Sequence, residues 1–256
     1  KNMANYIGID LGTTFSAVAT LDETGRPIII ANEDGINITP SVVTIEGPNK
    51  SIVGEVARKS LWTDQKNTKG RFKRDMGTSQ IYHAHGTEYT PTALSALVLK
   101  KLKEFTITAI QDIEEAVVTI PANFTNEARE ATMEAAKLAG LNVKYIINEP
   151  TAAALFYGWK TGKEISGKYA VYDLGGGTFD ISIIDVDGQN IEVLATNGIS
   201  KLGGTDFDEV LQNLVGKKFK EKTGKEMDPE DFNRNDAEDE KKTLSKREKC
   251  SLRISR

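Results

Sequence analysis

Cysteine and histidine are nearly absent from this chain. Cys250 is the only cysteine, and His83 and His85 are the only histidines. One cysteine cannot form an internal disulfide, and together these side chains cannot assemble a zinc-ligand cluster. We therefore exclude a disulfide-stapled scaffold and a zinc site, and we expect a reducing, cytoplasmic setting.

Long apolar runs and an excess of basic residues are also missing. No run approaches the roughly eighteen apolar residues that a membrane-spanning helix needs, so we expect no membrane association. The formal net charge of -4 argues against a general nucleic-acid-binding protein, because such proteins bind phosphates through a basic surface. A basic stretch at 241–256 follows an acidic stretch at 236–240, and we interpret both as solvated helix surface.

The two common nucleotide-binding signatures do not occur either. No Gly-x-x-x-x-Gly-Lys-Ser/Thr segment is present, and no Gly-x-Gly-x-x-Gly follows a predicted strand. These absences exclude a Walker-type site and a Rossmann-type site. The composition is that of a soluble globular protein, with 39% hydrophobic and 27% charged residues in a chain longer than one usual compact core.

Two segments of the chain resemble each other. Tyr6–Ala19 and Tyr169–Ser182 both read as strand, turn and strand, with Asp-Leu-Gly at the bend and Thr-Phe opening the second strand. The second copy has one extra glycine. A repeat with this separation favours two similar lobes that face each other.

Helices and strands alternate around these copies. Before the second copy we predict helix Thr92–Gln111 with an apolar stripe, strand Ala116–Ile120, helix Asn126–Ala139 ended by Gly140, strand Val143–Ile147, and helix Thr151–Tyr157 opened by Pro150 and ended by Gly158. After it we predict hairpin strands Ile181–Val186 and Ile191–Ala195 joined at Asp187-Gly188, then helices at 207–222 and 228–245. Residues 162–167 are a candidate junction between lobes. This alternation is typical of an α/β layered domain.

The two Asp-Leu-Gly turns carry the candidate chemistry. Glycine and small hydroxyl residues let backbone N–H groups approach phosphate oxygens, and Thr13, Thr14 and Thr178 add donors. The aspartate beside each turn, Asp10 or Asp173, can hold Mg²⁺ by hydrogen bonding to its hydration shell. For either turn alone, an ordinary β-turn with a solvated aspartate is the simpler interpretation.

Four motifs in order resemble the ATPase signatures of the seventy-kilodalton heat-shock chaperone family. They are Asp10-Leu-Gly-Thr-Thr-Phe15, Asn148-Glu-Pro-Thr-Ala-Ala-Ala154, Asp173-Leu-Gly-Gly-Gly-Thr-Phe-Asp180 and Leu202-Gly-Gly-Thr-Asp-Phe-Asp208. The resemblance extends from about Tyr6 to Ser245. It implies an α/β, actin-like ATPase fold with a ribonuclease H-like motif, in which two lobes enclose a nucleotide cleft. The implied lobes are 1–162, with a smaller upper subdomain at 42–91, and 163–256, with an upper subdomain at 203–256.

The same resemblance implies binding sites for ATP or ADP and for Mg²⁺, with K⁺ as a further candidate ion. The implied phosphate-binding residues are Gly12, Thr13, Thr14, Phe15, Gly175, Gly176, Gly177, Thr178, Gly203 and Gly204. Those implied to grip adenosine are Glu238, Lys241 and Ser245. Asp10, Asp173 and Asp180 would form the metal region.

Hydrolysis is assigned to Lys73, Glu149, Asp173 and Thr178 on the same grounds. Lys73 would place a positive charge beside the transferred phosphoryl group, although a lone lysine is more often a surface residue. Glu149 would position the attacking water. By resemblance, Pro121 and Arg129 match a switch that reports nucleotide state to a peptide-binding domain.

The resemblance is incomplete in two places. The segment 78–91 is shorter than in common members, and the chain stops before a later adenosine motif, so we expect a truncated, incomplete second lobe and no peptide-binding domain. Implied partners are a J-domain co-chaperone and a nucleotide exchange factor. An actin-like filament protein, a small-molecule kinase and a domain that binds nucleotide without turnover remain alternatives.

Overall fold

The structure is a computed structural model that describes residues 6–162, 165–188, 190–199 and 201–226. The chain divides into two compact units, with the boundary between Phe207 and Asp208. The elements and contacts reported below lie in the first unit unless the second is named. The predicted adenosine residues Glu238, Lys241 and Ser245 and the predicted helix 228–245 lie outside the described residues.

The described elements follow an α/β pattern. In chain order the strands are β1 Tyr6–Asp10, β2 Phe15–Leu21, β3 Pro27–Ile30, β4 Thr39–Pro40, β5 Val42–Gly47, β6 Lys50–Val53, β7 Thr68–Gly70, β8 Tyr82–Ala84, β9 Thr87–Tyr89, β10 Glu115–Ile120, β11 Val143–Asn148, β12 Ser166–Leu174, β13 Phe179–Asp187 and β14 Asn190–Ile199. The helices are α1 Glu55–Thr63, α2 Pro91–Ile110, α3 Asn126–Leu138, α4 Glu149–Thr161 and α5 Gly204–Thr223, with a 3-10 helix at Phe72–Asp75. None of the described helices is both long and apolar enough to cross a membrane.

A six-stranded sheet forms the centre of the first unit. Its order is β11-β10-β1-β2-β3, and β4 pairs with β2 at the turn end. Strands β1, β10 and β11 are parallel, whereas β2 and β3 are antiparallel to their neighbours. Alternate residues of β2 and β10 are buried, which is the period-two pattern of a sheet packed on a core.

Helices α2 and α3 cover this sheet. The predicted apolar stripe on α2 is confirmed, because Leu94, Val98 and Leu102 are fully buried and Leu97 is partly buried. Helix α3 ends one residue earlier than predicted, and Gly140 follows with a positive φ of 71°. These helices and strands β1, β2 and β10 form one large core.

A separate three-stranded antiparallel sheet, β12-β13-β14, carries the second predicted turn. The predicted hairpin at Asp187-Gly188 is confirmed, and its strands are longer than predicted. Its core is small and centres on Ile184 and Val186 with Ala154 of α4. The sheet thus supports its turn with far less buried apolar surface than the first sheet does.

The end of α4 was predicted wrongly. Gly158 was expected to stop this helix, but the helix continues to Thr161 and stops at Gly162, whose φ of 62° is left-handed. A glycine within a helix costs only about 1 kcal/mol, so neighbouring turns can carry the helix through it. Gly162 is therefore a helix cap, and Gly167 already lies in β12.

The second unit is described from Asp208 to Glu226. Its part of α5 has no buried residues. Lys218 pairs with Glu221 at 3.3 Å within the helix, and Lys220 pairs at 2.6 Å with Glu226 beyond the helix end. These exposed pairs contribute little stability. The predicted lobe boundaries at 162 and 163 and the predicted two-lobed shape stay predictions.

Candidate functional site

Both predicted turns line one cavity of about 710 Å³. The turns touch each other there, since a Cβ on Gly176 would lie 2.3 Å from the Thr14 hydroxyl oxygen and one on Gly177 would lie 2.6 Å from Thr13 Cγ2. Only a residue without a side chain allows this approach at both positions. The fold therefore brings the two Asp-Leu-Gly motifs, far apart in sequence, into a single site.

The first turn is fixed by Ser41, which lies between β4 and β5. The Ser41 hydroxyl donates to the Gly12 carbonyl at 2.8 Å, and the Ser41 N–H donates to the Thr14 carbonyl at 2.8 Å. A Cβ on Gly12 would lie only 2.0 Å from the Phe15 carbonyl oxygen, so the turn is closed around this glycine. These contacts hold the backbone of the first turn in one conformation.

The second turn is held from behind by the start of α5. The Gly204 N–H donates to the Gly175 carbonyl at 3.0 Å. The Gly176 carbonyl accepts from the Thr205 N–H at 2.9 Å and from the Thr205 hydroxyl at 2.6 Å. Gly203 fits directly against the turn, because a Cβ there would lie 2.5 Å from the Gly177 nitrogen. Gly203 and Gly204 therefore support the turn and are not among the residues that line the cavity.

Lys73 is buried at the cavity wall and is not the surface lysine that its type suggests. Its ammonium group lies 2.8 Å from Glu149 Oε1, and the residue is only 6% exposed. The 3-10 helix that carries it is anchored by buried Phe72 and by a hydrogen bond from the Tyr82 hydroxyl to Asp75. Burial of this lysine against a carboxylate places a fixed positive charge beside both turns.

Glu149 opens α4 directly after β11. Burial raises the pKa of Glu149, while the neighbouring Lys73 charge lowers it and the carboxylates of Asp10 and Asp173 raise it further. The site is therefore crowded with negative charge that one lysine only partly offsets. A cation in the cavity would relieve this repulsion.

The three predicted metal-region aspartates lie at strand ends around the turns. Asp10 accepts a hydrogen bond from the Thr119 hydroxyl at 3.2 Å, and Asp173 is the register partner of Asp180 across β12 and β13. Partial desolvation, followed by the charge of Asp10 and then that of Asp180, raises the pKa of Asp173. Asp180 accepts from the Asn123 amide at 2.9 Å, and desolvation raises its pKa too.

The residues present fit a phosphate and a hydrated magnesium ion. The Thr14 hydroxyl oxygen is buried without a hydrogen-bond partner in the described part of the chain, and Thr14 and Lys73 line the same cavity. Within the same part of the chain, no three His, Cys, Asp or Glu side chains are grouped closely enough to hold a metal directly. Carboxylates that hydrogen bond to the water shell of Mg²⁺ match that spacing better than direct ligands do.

Most of the predicted site residues meet at this cavity. Those that line it are Asp10, Gly12, Thr13, Thr14, Phe15, Lys73, Glu149, Asp173, Gly175, Gly176, Gly177 and Thr178. Asp180 lies beside it through its pairing with Asp173. Arg129, the predicted switch residue, donates to the Asn148 side chain at 3.0 Å, one residue before Glu149.

Sequence reasoning missed four residues that shape this site. They are Ser41, Arg74, Asn123 and Thr205, which contact the turns or Asp180. Arg74 was visible only as one cation in a basic stretch next to Lys73, and nothing in the sequence separated it from its neighbours. Thr205 lies within the Leu202–Asp208 motif, but the motif gave it no role of its own. Ser41 and Asn123 have no local pattern, because their partners are distant in sequence.

Comparison with known families agrees with this geometry. A family model described as Hsp70 protein matches residues 6–256. The chain therefore belongs to the Hsp70 protein family. Members of this family are ATPases that bind ATP and ADP with Mg²⁺ and act as chaperones.

Proposed function

We propose that this Hsp70-family chain binds Mg²⁺ and ATP in the cavity between its two turns and hydrolyses the terminal phosphate. The observation that carries the proposal is the ion pair of buried Lys73 with partly buried Glu149, 2.8 Å apart, in a cavity lined by both glycine turns. A fixed cation, a carboxylate and backbone donors together are what phosphoryl transfer requires of a protein. Family membership favours this role over an actin-like filament protein or a small-molecule kinase.

Each residue then has a definite task. Lys73 holds its charge where negative charge shifts toward the leaving oxygen, and Glu149 accepts a hydrogen bond from water and orients it for attack. The backbone and hydroxyls of Thr13, Thr14 and Thr178 donate to phosphate oxygens. Mg²⁺ supplies charge neutralisation of the phosphates when it is bound.

The aspartates serve the metal in this proposal. Asp10 and Asp173 accept hydrogen bonds from its water shell, and Asp180 completes the acidic region from the adjacent strand. K⁺ is a further candidate ion for the same acidic region. Glu238, Lys241 and Ser245 are proposed to contact adenosine.

The wider role proposed is that of a molecular chaperone. ATP turnover would be coupled to protein folding through a peptide-binding domain, with a J-domain co-chaperone and a nucleotide exchange factor as partners. The proposed location is the cytoplasm, and nucleic acids and membranes have no part in the proposed role. The two-lobed cleft of the actin-like fold is its structural premise.

Substitution of the buried lysine tests the proposal. We expect Lys73→Ala to lower single-turnover ATP hydrolysis by about a hundredfold or more, while ATP binding persists, because its charge matters most in the transition state. Lys144→Ala is the matched control, since it also removes a lysine paired with a glutamate, at 3.3 Å from Glu115 and outside the cavity. Parental turnover by the Lys73 variant, or no ATP binding by the parent in calorimetry, would reject the assignment.

A further inference from the structure

The second turn presents three consecutive carbonyl groups to donors on one side. Gly175 accepts from the Gly204 N–H, Gly176 accepts from Thr205, and Gly177 accepts from the Arg74 guanidinium group. Two of these donors belong to the start of α5, and the third follows Lys73 in the 3-10 helix. Every carbonyl oxygen of the three glycines is thus engaged.

The orientation of these carbonyls fixes the neighbouring N–H groups. In a trans peptide the C=O of one residue and the N–H of the next lie in one plane and point in opposite directions. The N–H groups of Gly176, Gly177 and Thr178 therefore point away from Arg74 and Thr205. In the described part of the chain these three N–H groups donate to no protein acceptor, and their residues line the cavity.

We propose that Arg74 and Thr205 are positioning residues that aim the second turn's N–H groups at the terminal phosphate of ATP. This turn is bonded to the 3-10 helix of Lys73, the residue that the proposed function places beside that phosphate. This inference rests on the proposed function and goes beyond it by assigning two residues outside the phosphate contacts. Glycine peptides can flip with little steric cost, and a flipped carbonyl would face the phosphate with a partial negative charge. Donors behind the turn prevent that flip.

Arg74 is itself held for this task. Its side chain is 11% exposed, and its guanidinium group also contacts Asp206 at 3.3 Å. A Cβ on Gly177 would lie 2.9 Å from the Arg74 Nη2 atom, so the turn and the guanidinium group touch. Lys73 and Arg74 are consecutive residues of the same 3-10 helix. This short helix therefore positions the buried ammonium group of Lys73 and also the guanidinium group that orients the Gly177 peptide.

The test compares ATP with ADP in the full chain, since only ATP carries the terminal phosphate. We expect Thr205→Val, which removes the hydroxyl that donates to Gly176, to weaken ATP binding by about fivefold and ADP binding by less than about twofold. Thr205→Ser keeps the hydroxyl and should recover most of the loss. The matched control is Thr196→Val. It removes a hydroxyl that hydrogen bonds to Ser182 at 3.0 Å between β14 and β13, so it does not touch the turn.

A second variant tests the same inference through hydrolysis. Arg74→Lys keeps the positive charge but loses the planar fork, so we expect kcat to fall about tenfold with ADP affinity unchanged. The inference would be overturned if Thr205→Val weakened the binding of ATP and of ADP equally, or if neither variant changed binding or hydrolysis. In that case ATP binding by the parent would still support the proposed function. Failure of the parent to bind ATP would overturn both.

Discussion

The first turn joins two interior strands of a six-stranded sheet with a large core, whereas the second joins two strands of a three-stranded sheet with a small core. Leu11 in the first motif is 2% exposed, but the equivalent Leu174 in the second is 56% exposed. The same Asp-Leu-Gly pattern therefore occurs in two different packing environments. Local sequence similarity does not equalise the apolar surface that each copy buries.

The turns also differ in what restrains them. Ser41, which directly follows β4 of the same sheet, holds the first turn, whereas Arg74 and Thr205 hold the second from segments outside its sheet. The first turn is thus part of a stable body, and the second depends on contacts that bridge separate elements. We expect substitutions near the first turn to act on stability and those near the second to act on ligand binding.

The largest expected contrast comes from the two cores. Leu99 in α2 and Ile184 in β13 are both almost fully buried. We expect Leu99→Ala to lower the free energy of unfolding by about 3 kcal/mol, because it leaves a cavity in a dense core. Ile184→Ala should cost about half as much, since fewer buried neighbours surround it. Denaturant unfolding measures both, and equal losses would show that the two sheets contribute equally to stability.

Glycine substitutions sharpen the contrast at the turns themselves. Gly12→Ala forces a Cβ against the Phe15 carbonyl at 2.0 Å, and we expect a loss of about 2 kcal/mol of unfolding free energy. Gly203→Ala places a Cβ 2.5 Å from the second turn, so we expect a smaller loss of stability but at least about tenfold weaker ATP binding.

Thermal unfolding and calorimetry with ATP separate these two outcomes. Gly216→Ala in α5 is the control, because a Cβ there meets nothing within 4 Å. If Gly203→Ala destabilised the chain more than Gly12→Ala does, the second turn would be as integral to the folded core as the first.

The smallest expected effect concerns pH. The raised pKa of Asp173 means that the folded chain binds a proton more readily than the unfolded chain, so ionisation of Asp173 costs stability as pH rises above about 4. Asp173→Asn cannot ionise. In the absence of magnesium it should therefore raise the free energy of unfolding at neutral pH, by less than about 1 kcal/mol because solvent screens the site.

Melting temperatures between pH 4 and pH 8 measure this gain, which should vanish at the acid end. Asp185→Asn, which removes the partner of exposed Lys168 at 2.6 Å, is the control and should show no such gain. With Mg²⁺ and ATP present the order should reverse, because the parent then uses the carboxylate to bind the ligand. A variant less stable than the parent at neutral pH without magnesium would contradict the charge crowding at this site.

Some of the site was readable from the sequence because its signals are local. Strand, turn and strand at each Asp-Leu-Gly motif are confirmed, as is the cap at Gly140. The end of α4 was misplaced, because Gly158 and Gly162 are both plausible stops and only Gly162 adopts the left-handed conformation of a cap. Ser41 could not be found, since a single hydroxyl residue has no pattern. Thr205 was visible only as part of its motif, because its partner Gly176 is 29 positions away.

Glycine, threonine and aspartate dictate backbone behaviour within a few residues, so the amino-acid sequence was enough to predict which two segments form turns that can offer N–H groups to a ligand. The family resemblance pointed to Lys73, but its burial and its pairing with Glu149 beside those turns are visible only in the folded chain. Lys73 is one of many cations, and its burial against Glu149 joins residues 76 positions apart. Burial and charge pairing are properties of the assembled fold, so they emerge only when the sheets and the 3-10 helix come together.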